Sequence, residues 1–288
     1  MDIIQVITKE LNVEKWQVEA AVKLIDEGCT IPFISRYRKE ATGSLNDEQL
    51  RTLHERLTYL RNLEEKKNQV LGSIEEQGKL TAELKKQILD AQTLVVVEDL
   101  YRPFRPKRRT RAIIAKEKGL EPLANIIMLQ MTDKPIEEEA QDFVSEDKGV
   151  ESVADAINGA KDIIAEHISD EADYRIYLRK LTMDRGSVAS TAKKPEESSV
   201  YEMYYEFEEP IKKLAGHRVL ALNRGEKEKI LTVKVNAPEE EAMGWLQKQV
   251  ITKENPITKP ILREVVEDSY KRLIAPAIER EIRSDLTE

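Results

Sequence analysis

The sequence predicts a mostly α protein, an elongated multi-helix scaffold with helix-turn-helix elements and one short β segment near residues 230–236. Charged residues make up 35% of the chain and aromatic residues only 5%, a composition typical of helix-rich proteins. Apolar residues recur at helical spacing through most of the sequence, whereas only "ILTVKVNAP" alternates apolar and polar residues as a strand does. We therefore expect packed helices rather than a sandwich or a barrel.

Length and composition also indicate how the chain is organised. Its 288 residues exceed the usual size of one domain, and "KKPEESS" has the composition of a linker. We predict a helical domain over residues 1–194 and a smaller, mainly helical domain over 195–288 that contains the short strand. The single cysteine, Cys29, and the absence of a signal or membrane-spanning sequence indicate a reduced, cytoplasmic protein. We also expect the chain to be a monomer.

The first helices are predicted at the start of the chain. Apolar residues recur from Ile3 to Leu11, and a second set from Val13 to Ile25 follows a turn at Asn12. We expect the two helices to share a core, to which the following residues contribute: Ile4, Ile7, Trp16, Val22 and Ile25. Two short helices around a tight turn allow a helix-turn-helix, but the same pattern is common in helical bundles that do not bind DNA.

A short basic helix and a long helical hairpin are predicted next. In "TIPFISRYRKEATGSL", Pro32 can start a helix and Gly43 can end one. After the cap Asn46, apolar residues recur at three- and four-residue steps, interrupted by Glu64 and Lys67, at Leu50, Leu53, Leu57, Leu60, Leu71 and Ile74. Together with "TAELKKQILDAQ" beyond Gly78, this pattern predicts a hairpin that packs within the monomer.

The second half of the chain is predicted to be helical except for the one strand. Gly119 should end the helix that follows the prolines of "YRPFRPKRRTR", and one or two long helices should reach about Ala192. The acidic and aromatic segment "YEMYYEFEE" then precedes the strand. The last helix should begin near Lys259 and kink at Pro276.

Catalytic and metal-binding patterns are not found in this sequence. "GSIEEQGKL" differs from a phosphate-binding loop, because its glycines are one residue too far apart and Leu80 follows Lys79. His54, His167, His217 and Cys29 lack the spacing of metal ligands. We therefore predict no enzyme activity, no cofactor and no metal.

The strongest candidate site is a basic cluster in a chain of formal charge −8. It contains no acidic residue and consists of Arg102, Arg105, Lys107, Arg108, Arg109 and Arg111. One interpretation is that these cations neutralise phosphates while Tyr101 and Phe104 stack on unpaired bases. The other is that they pair with carboxylates of neighbouring helices. The secondary candidates are Arg36, Arg38 and Lys39.

Four segments, in this order and spacing, resemble the N-terminal region of the Tex family of bacterial transcription accessory proteins: "TIPFISRYRKEATGSL", "VVVEDLYRPFRPKRRTRAIIAKEKGLEPLA", "HRVLALNRGEKE" and "DSYKRLIAPAIEREIRSDL". The resemblance covers essentially the whole chain. It implies that residues 1–194 are a Tex N-terminal domain with helix-turn-helix elements, and that residues 195–288 lead into a resolvase-like domain. In the family, helix-hairpin-helix motifs and an S1 domain credited with binding RNA or single-stranded DNA follow, so the chain is expected to be a fragment.

Two hypotheses for function remain open from the sequence. In the first, the chain is the non-enzymatic scaffold of a transcription factor and makes weak, sequence-nonspecific contact with nucleic acid through the basic cluster. In the alternative, it docks RNA polymerase or other domains of the same protein through the basic cluster or "YEMYYEFEE", without binding nucleic acid.

Overall fold

The computed structural model describes residues 1–288 as two units, Met1–Tyr101 and Arg102–Glu288. The first unit is entirely helical. Its helices are α1 (Ile3–Leu11), α2 (Lys15–Asp26), α3 (Ile31–Tyr37), α4 (Lys39–Thr42), α5 (Asp47–Glu76), α6 (Ala82–Asp90) and α7 (Leu94–Tyr101).

Helix α5 organises the first unit and confirms the predicted pattern except at Leu71, which is only half-buried, while Val70 beside it is buried. The side chain of Asn46 caps it by accepting a hydrogen bond from the amide of Gln49 at 2.8 Å. Its buried face packs against α1, α2, α3, α6 and α7, and consists of Leu50, Leu53, Leu57, Leu60, Leu63, Lys67, Val70 and Ile74. Gly78 turns the chain into α6 with a φ of 68°, as the predicted hairpin requires.

The first two helices form as predicted, but their predicted core is wrong at one position. Asn12 makes the turn in the left-handed region, with φ 52° and ψ 49°. Helix α2 buries Val18, Ala21 and Val22, whereas the Trp16 side chain is 52% exposed. At about 100° per residue, position 16 lies on the opposite face of α2 from position 18, and apolar character alone did not reveal this.

The second unit surrounds one long buried helix. Its helices are α8 (Arg111–Glu117), α9 (Glu121–Leu129), α10 (Ile136–Gln141), α11 (Val153–Asp170), α12 (Ala172–Arg185), α13 (Gly216–Lys227), α14 (Glu239–Val250), α15 (Thr258–Asp268) and α16 (Ala275–Thr287). Helix α11 packs against α8, α9, α10, α12 and α15. Its buried residues include Ala156, Ala160 and Ile164, whose spacing gives α11 a continuous apolar face.

A three-stranded antiparallel sheet completes the second unit. Its strands are β1 (Ser187–Ala192), β2 (Glu206–Pro210) and β3 (Leu231–Asn236), in the order β2-β1-β3. The predicted strand near 230–236 is β3, but the chain also has two strands that were not predicted, and the helix expected to reach Ala192 ends at Arg185. The division between the two units falls after Tyr101. The boundary predicted after residue 194 lies instead within the second unit, between β1 and β2 of the same sheet.

The predicted C-terminal helix begins at Thr258 and is interrupted before Pro276. A π-helix, Ser269–Ile274, joins α15 to α16, and Pro276 lies in the first turn of α16. Proline has no amide hydrogen and its ring clashes with the preceding turn, and the wider π turn just before Pro276 accommodates that ring. Ile278 and Ile282 on α16 are buried in the core of this unit.

Candidate nucleic-acid interface

The basic loop, residues 102–111, follows α7 and leads into α8. Arg102–Phe104 forms a 3-10 helix, and residues 105–110 have no regular structure. Pro103 and Pro106 prevent continuation of a helix through this segment. The hydroxyl of Thr110 then caps α8 by accepting a hydrogen bond from the amide of Ile113 at 3.2 Å. The arrangement of a loop entering a helix is the one that the sequence predicts.

Lys107 is held by acidic residues of α11. Its ammonium group donates a hydrogen bond to the carboxylate of Asp170 and lies 3.6 Å from Oε1 of Glu166. The three side chains are only 16–22% exposed. Burial raises the pKa of Asp170, although the hydrogen bond from Lys107 opposes the increase. Lys107 therefore braces the basic loop against α11 and has little surface to offer a ligand.

Two further cations of the basic loop pair with acids. The guanidinium of Arg102 lies 3.6 Å from Oε1 of Glu281 on α16, and both side chains are less than a quarter exposed. Arg109 donates a 2.8 Å hydrogen bond to Glu117 on α8, but this pair is largely exposed. An exposed pair of this kind contributes little to stability and is easily exchanged for another anion. The structural interpretation of the cluster therefore applies to Arg102 and Lys107.

Arg108 and Arg111 are the solvent-exposed cations of the basic loop for which the structure shows no ionic partner. Arg111 still influences its surroundings, since its charge and that of Arg272 oppose the increase that burial causes in the pKa of Asp162. Arg105 is also exposed. Arg108 and Arg111 are thus the residues best placed to meet an external anion.

Tyr101 and Phe104, the aromatic residues predicted to stack on bases, are half-buried. The hydroxyl of Tyr101 is hydrogen-bonded to that of Ser73 at 2.9 Å. The ammonium of Lys66 lies 5.9 Å from the centre of the Tyr101 ring. Tyr101 is therefore engaged within the first unit and is poorly placed to stack on a base.

The secondary basic residues form a separate α3–α4 basic patch, which consists of Arg36, Arg38 and Lys39. Thr30 caps α3 by accepting a hydrogen bond from the amide of Phe33 at 3.3 Å, and Arg38 ends that helix with φ −129° and ψ 27°. All three basic side chains are exposed, and none forms an ion pair. The guanidinium of Arg38 lies 5.0 Å from the centre of the Phe33 ring. Sequence reasoning identified the charges of this patch but missed its aromatic neighbours.

The acidic and aromatic segment does not display the anchors expected of a docking surface. Tyr201 is 4% exposed and Tyr204 is 5% exposed, because both belong to the core of the second unit. The ring of Phe207 packs edge-on against Tyr204, with the ring centres 5.2 Å apart. The interpretation of "YEMYYEFEE" as an exposed interface therefore lacks support from the positions of its tyrosines.

No group of three or more His, Cys, Asp or Glu side chains is arranged to hold a metal ion. None of the helices combines the length and apolar character needed to cross a membrane.

Comparison with known proteins identifies the family. Residues 1–75 match the model of the Tex-like protein N-terminal domain, and residues 131–288 match the Tex central region-like model. Uncharacterized protein YdcI of Bacillus subtilis is 49% identical over 99% of this chain and 40% of its own length. Transcriptional accessory protein Tex of Neisseria gonorrhoeae is 41% identical over 81% of this chain and 31% of its own length.

The similarity extends to a human protein. S1 RNA-binding domain-containing protein 1 of Homo sapiens is 32% identical over 99% of this chain and 30% of its own length. The chain therefore spans less than half the length of these relatives. Because the central-region model alone matches more than half of the 288 residues, the chain belongs to the Tex family.

Proposed function

We propose that this chain is the N-terminal scaffold of a cytoplasmic transcription accessory protein, acting as a monomer and without enzyme activity of its own. A relative named transcriptional accessory protein Tex supports the role in transcription. In this proposal the scaffold makes weak, sequence-nonspecific contact with RNA or single-stranded DNA through the basic loop. An S1 domain elsewhere in the whole protein would supply most of the affinity.

The observation that supports contact with nucleic acid is that only some cations of the basic loop are paired with acids. Arg102 and Lys107 fix the loop against α16 and α11, while Arg108 and Arg111 are exposed without ion pairs. Asp162 is the acid whose charge interacts with Arg111, but it forms no ion pair with either arginine, so both guanidinium groups are available to an external anion. Phosphate contacts of this kind carry no base sequence information, so binding should depend on salt rather than on sequence.

A titration of the chain with a fluorescein-labelled oligothymidylate at several salt concentrations tests the proposal. Each phosphate contact on a single strand contributes roughly −0.7 to the log–log salt slope, so Arg108→Gln with Arg111→Gln should flatten the slope by about 1.4. The matched control is Lys85→Gln with Lys86→Gln, which removes the same charge from exposed positions of α6. An equal loss of binding in both variants would mean that the basic loop has no special role.

The alternative proposal is a protein-interaction scaffold that docks RNA polymerase or other domains of the whole protein. It is favoured by the ion pairs of Arg102, Lys107 and Arg109, which leave fewer cations for phosphate. This alternative predicts no detectable binding of the oligonucleotide even at low salt. It would then require that purified RNA polymerase, or the remaining domains, bind the chain directly.

A further inference from the structure

The first unit exposes an unusual share of the chain's aromatic surface. Four aromatic side chains of the whole chain are exposed: Trp16, Phe33, Tyr37 and Tyr177. Tyr177 stacks on Trp245 with the ring centres 3.9 Å apart, so that ring already has a partner. The other three lie on α2 and α3 and are here called the aromatic surface. Accessible aromatic rings on neighbouring helices are candidates for contact with another molecule.

Phe33 and Tyr37 form one continuous element of this surface. They lie one turn apart on α3, and their ring centres are 5.4 Å apart at an angle of 46°. The guanidinium of Arg38 covers Phe33, whose side chain is 37% exposed. Tyr37 is 67% exposed and therefore presents the more accessible ring. A planar group from outside could stack on Tyr37 without any rearrangement of α3.

Trp16 is fixed at the opposite end of α4 from Arg38. The Gln17 side-chain amide donates hydrogen bonds of 3.1 Å to the carbonyls of Thr42 and Gly43. The indole of Trp16 lies against Gly43, where an added Cβ would come within 2.6 Å of the ring. Helix α4 has four residues, so at 1.5 Å per residue it separates the two ends by roughly 6 Å. The aromatic surface and the α3–α4 basic patch are thus neighbours.

The charges beside the aromatic rings define the chemistry of the ligand. Arg36, Arg38 and Lys39 are exposed and make no ion pair, and no acid occurs between Thr30 and Lys39. Exposed acids lie just outside this stretch, at Glu27 and Glu40, and on α2 the exposed Glu19 pairs with Lys15. Cations beside accessible aromatic rings match a ligand that alternates phosphates with planar bases. Duplex bases are stacked on one another and cannot offer their faces to Tyr37 or Trp16.

We infer that α2, α3 and α4 form a binding site for unpaired nucleic acid, in which Tyr37 and Trp16 stack on bases while Arg36, Arg38 and Lys39 contact phosphates. This inference rests on the proposed contact with nucleic acid and adds a second site, outside the basic loop, that binds through base stacking. The site is separate in sequence from the basic loop, so the two can be tested independently.

Fluorescence of Trp16 gives a direct test in the complete chain. Trp245→Phe leaves Trp16 as the sole tryptophan of the protein. Titration with oligothymidylate or oligouridylate should quench the emission of Trp16, and a duplex of the same length should leave it nearly unchanged. Tyr37→Ala should weaken binding of either single strand by at least about fivefold, since stacking contributes strongly for each base. Tyr37→Phe should retain the affinity, because the stacking ring remains.

Control variants separate this inference from the proposal about the basic loop. Leu220→Ala removes from α13 a side chain about as exposed as that of Tyr37, and it should leave binding of the single strand unchanged. If Arg108→Gln with Arg111→Gln abolishes binding while Tyr37→Ala does not weaken it, the inference falls and the basic-loop proposal stands. The reverse result would overturn the basic-loop proposal alone. Binding of purified RNA polymerase that Tyr37→Ala weakens, measured by pull-down, without binding of any oligonucleotide, would identify a protein-docking surface and overturn the inference.

Discussion

The ammonium group of Lys67, which is completely buried on α5, donates a 2.7 Å hydrogen bond to the main-chain carbonyl of Leu89 in the last turn of α6. Glu64 lies 3.6 Å from the same ammonium group. A cation at this position satisfies a carbonyl that α6 itself leaves without an amide partner and interacts favourably with the negative end of the helix dipole. The residue that interrupts the leucine pattern of α5 therefore joins the two helices of the hairpin.

Two substitutions of Lys67 should separate the contribution of its buried aliphatic stem from that of its hydrogen bond to Leu89. Lys67→Ala removes the buried stem and the hydrogen bond, and should lower the free energy of unfolding by about 2–4 kcal/mol. Lys67→Met keeps most of the packing and should lower it by about 1–2 kcal/mol. Urea unfolding followed by circular dichroism measures both values. A loss below about 0.5 kcal/mol for Lys67→Ala would contradict the buried position of this side chain.

Lys107 and Arg108 are adjacent in sequence, but removing the charge of Lys107 should destabilise the fold, whereas removing that of Arg108 should not. Lys107→Gln leaves the carboxylates of Asp170 and Glu166 without their shared cation and should lower the free energy of unfolding by about 1–3 kcal/mol. Arg108→Gln changes an exposed side chain and should alter stability by less than about 0.5 kcal/mol. Chemical denaturation of the two variants gives the comparison. Equal losses would show that Lys107 is not the brace of the basic loop.

The contact between Glu226 and Arg283 should make part of the stability depend on pH. Arg283 donates hydrogen bonds of 2.7 and 3.0 Å to the two carboxylate oxygens, and these bonds lower the pKa of Glu226 below its ordinary value of 4.5. Because the pKa is lower in the folded protein, the stabilisation is present above about pH 4.5 and is lost as the pH falls through the lowered value.

A Glu226→Gln variant should therefore be less stable than the wild type at neutral pH, with a difference that shrinks in acid. Glu226 is 40% exposed, so the effect should be at most about 1 kcal/mol. Thermal unfolding of both proteins between neutral pH and about pH 3.5 measures it. Glu240→Gln, at an exposed acid without an ion pair, serves as the control. A difference that grows towards low pH would contradict the assigned direction of the pKa.

Two glycines allow the effect of backbone strain to be separated from that of side-chain contact. Gly43 and Gly28 both have positive φ values, 64° and 90°. An added Cβ would meet the side chains of Gln17 and Trp16 at Gly43 and nothing within 4 Å at Gly28. Gly28→Ala should lower stability by about 1 kcal/mol through strain alone, and Gly43→Ala by roughly a further 1–2 kcal/mol.

The displaced indole should also report on the Gly43 substitution directly. In the Trp245→Phe background, Gly43→Ala should shift the emission of Trp16, whereas Gly28→Ala should not. Unfolding curves and emission spectra of the two variants provide the measurements. Identical stability and spectra for both would show that Trp16 does not lie against Gly43.

The features that sequence reasoning predicted correctly are those determined by local spacing. The leucines of α5 repeat every three or four residues, and β3 alternates buried and exposed residues, so each pattern is visible without a partner. Strands β1 ("SVASTA") and β2 ("EFEEP") contain small or acidic residues and become strands through pairing with one another and with β3. Their own residues therefore gave no signal of a strand.

The candidate site was predictable only in part for a similar reason. The cations of the basic loop are visible in the sequence, but the partner of Lys107 lies 63 residues away and that of Arg102 lies on α16. Only folding shows which of the six are neutralised. Trp16 was wrongly assigned to the core because it is apolar and close in sequence to the buried residues of α2. It lies on the opposite face of that helix.

The central position of β1 determines how this protein can be divided for study. Its pairing partners lie on either side in the sheet, Val188 facing Glu209 on β2 and Val235 on β3. A chain cut after residue 194 would keep β1 while losing both neighbours, and its two rows of unpaired amides and carbonyls would be free to recruit strands of other molecules. Insolubility of such a fragment would then result from the unpaired strand β1. A loss of nucleic-acid binding measured with that fragment would carry no information about the basic loop.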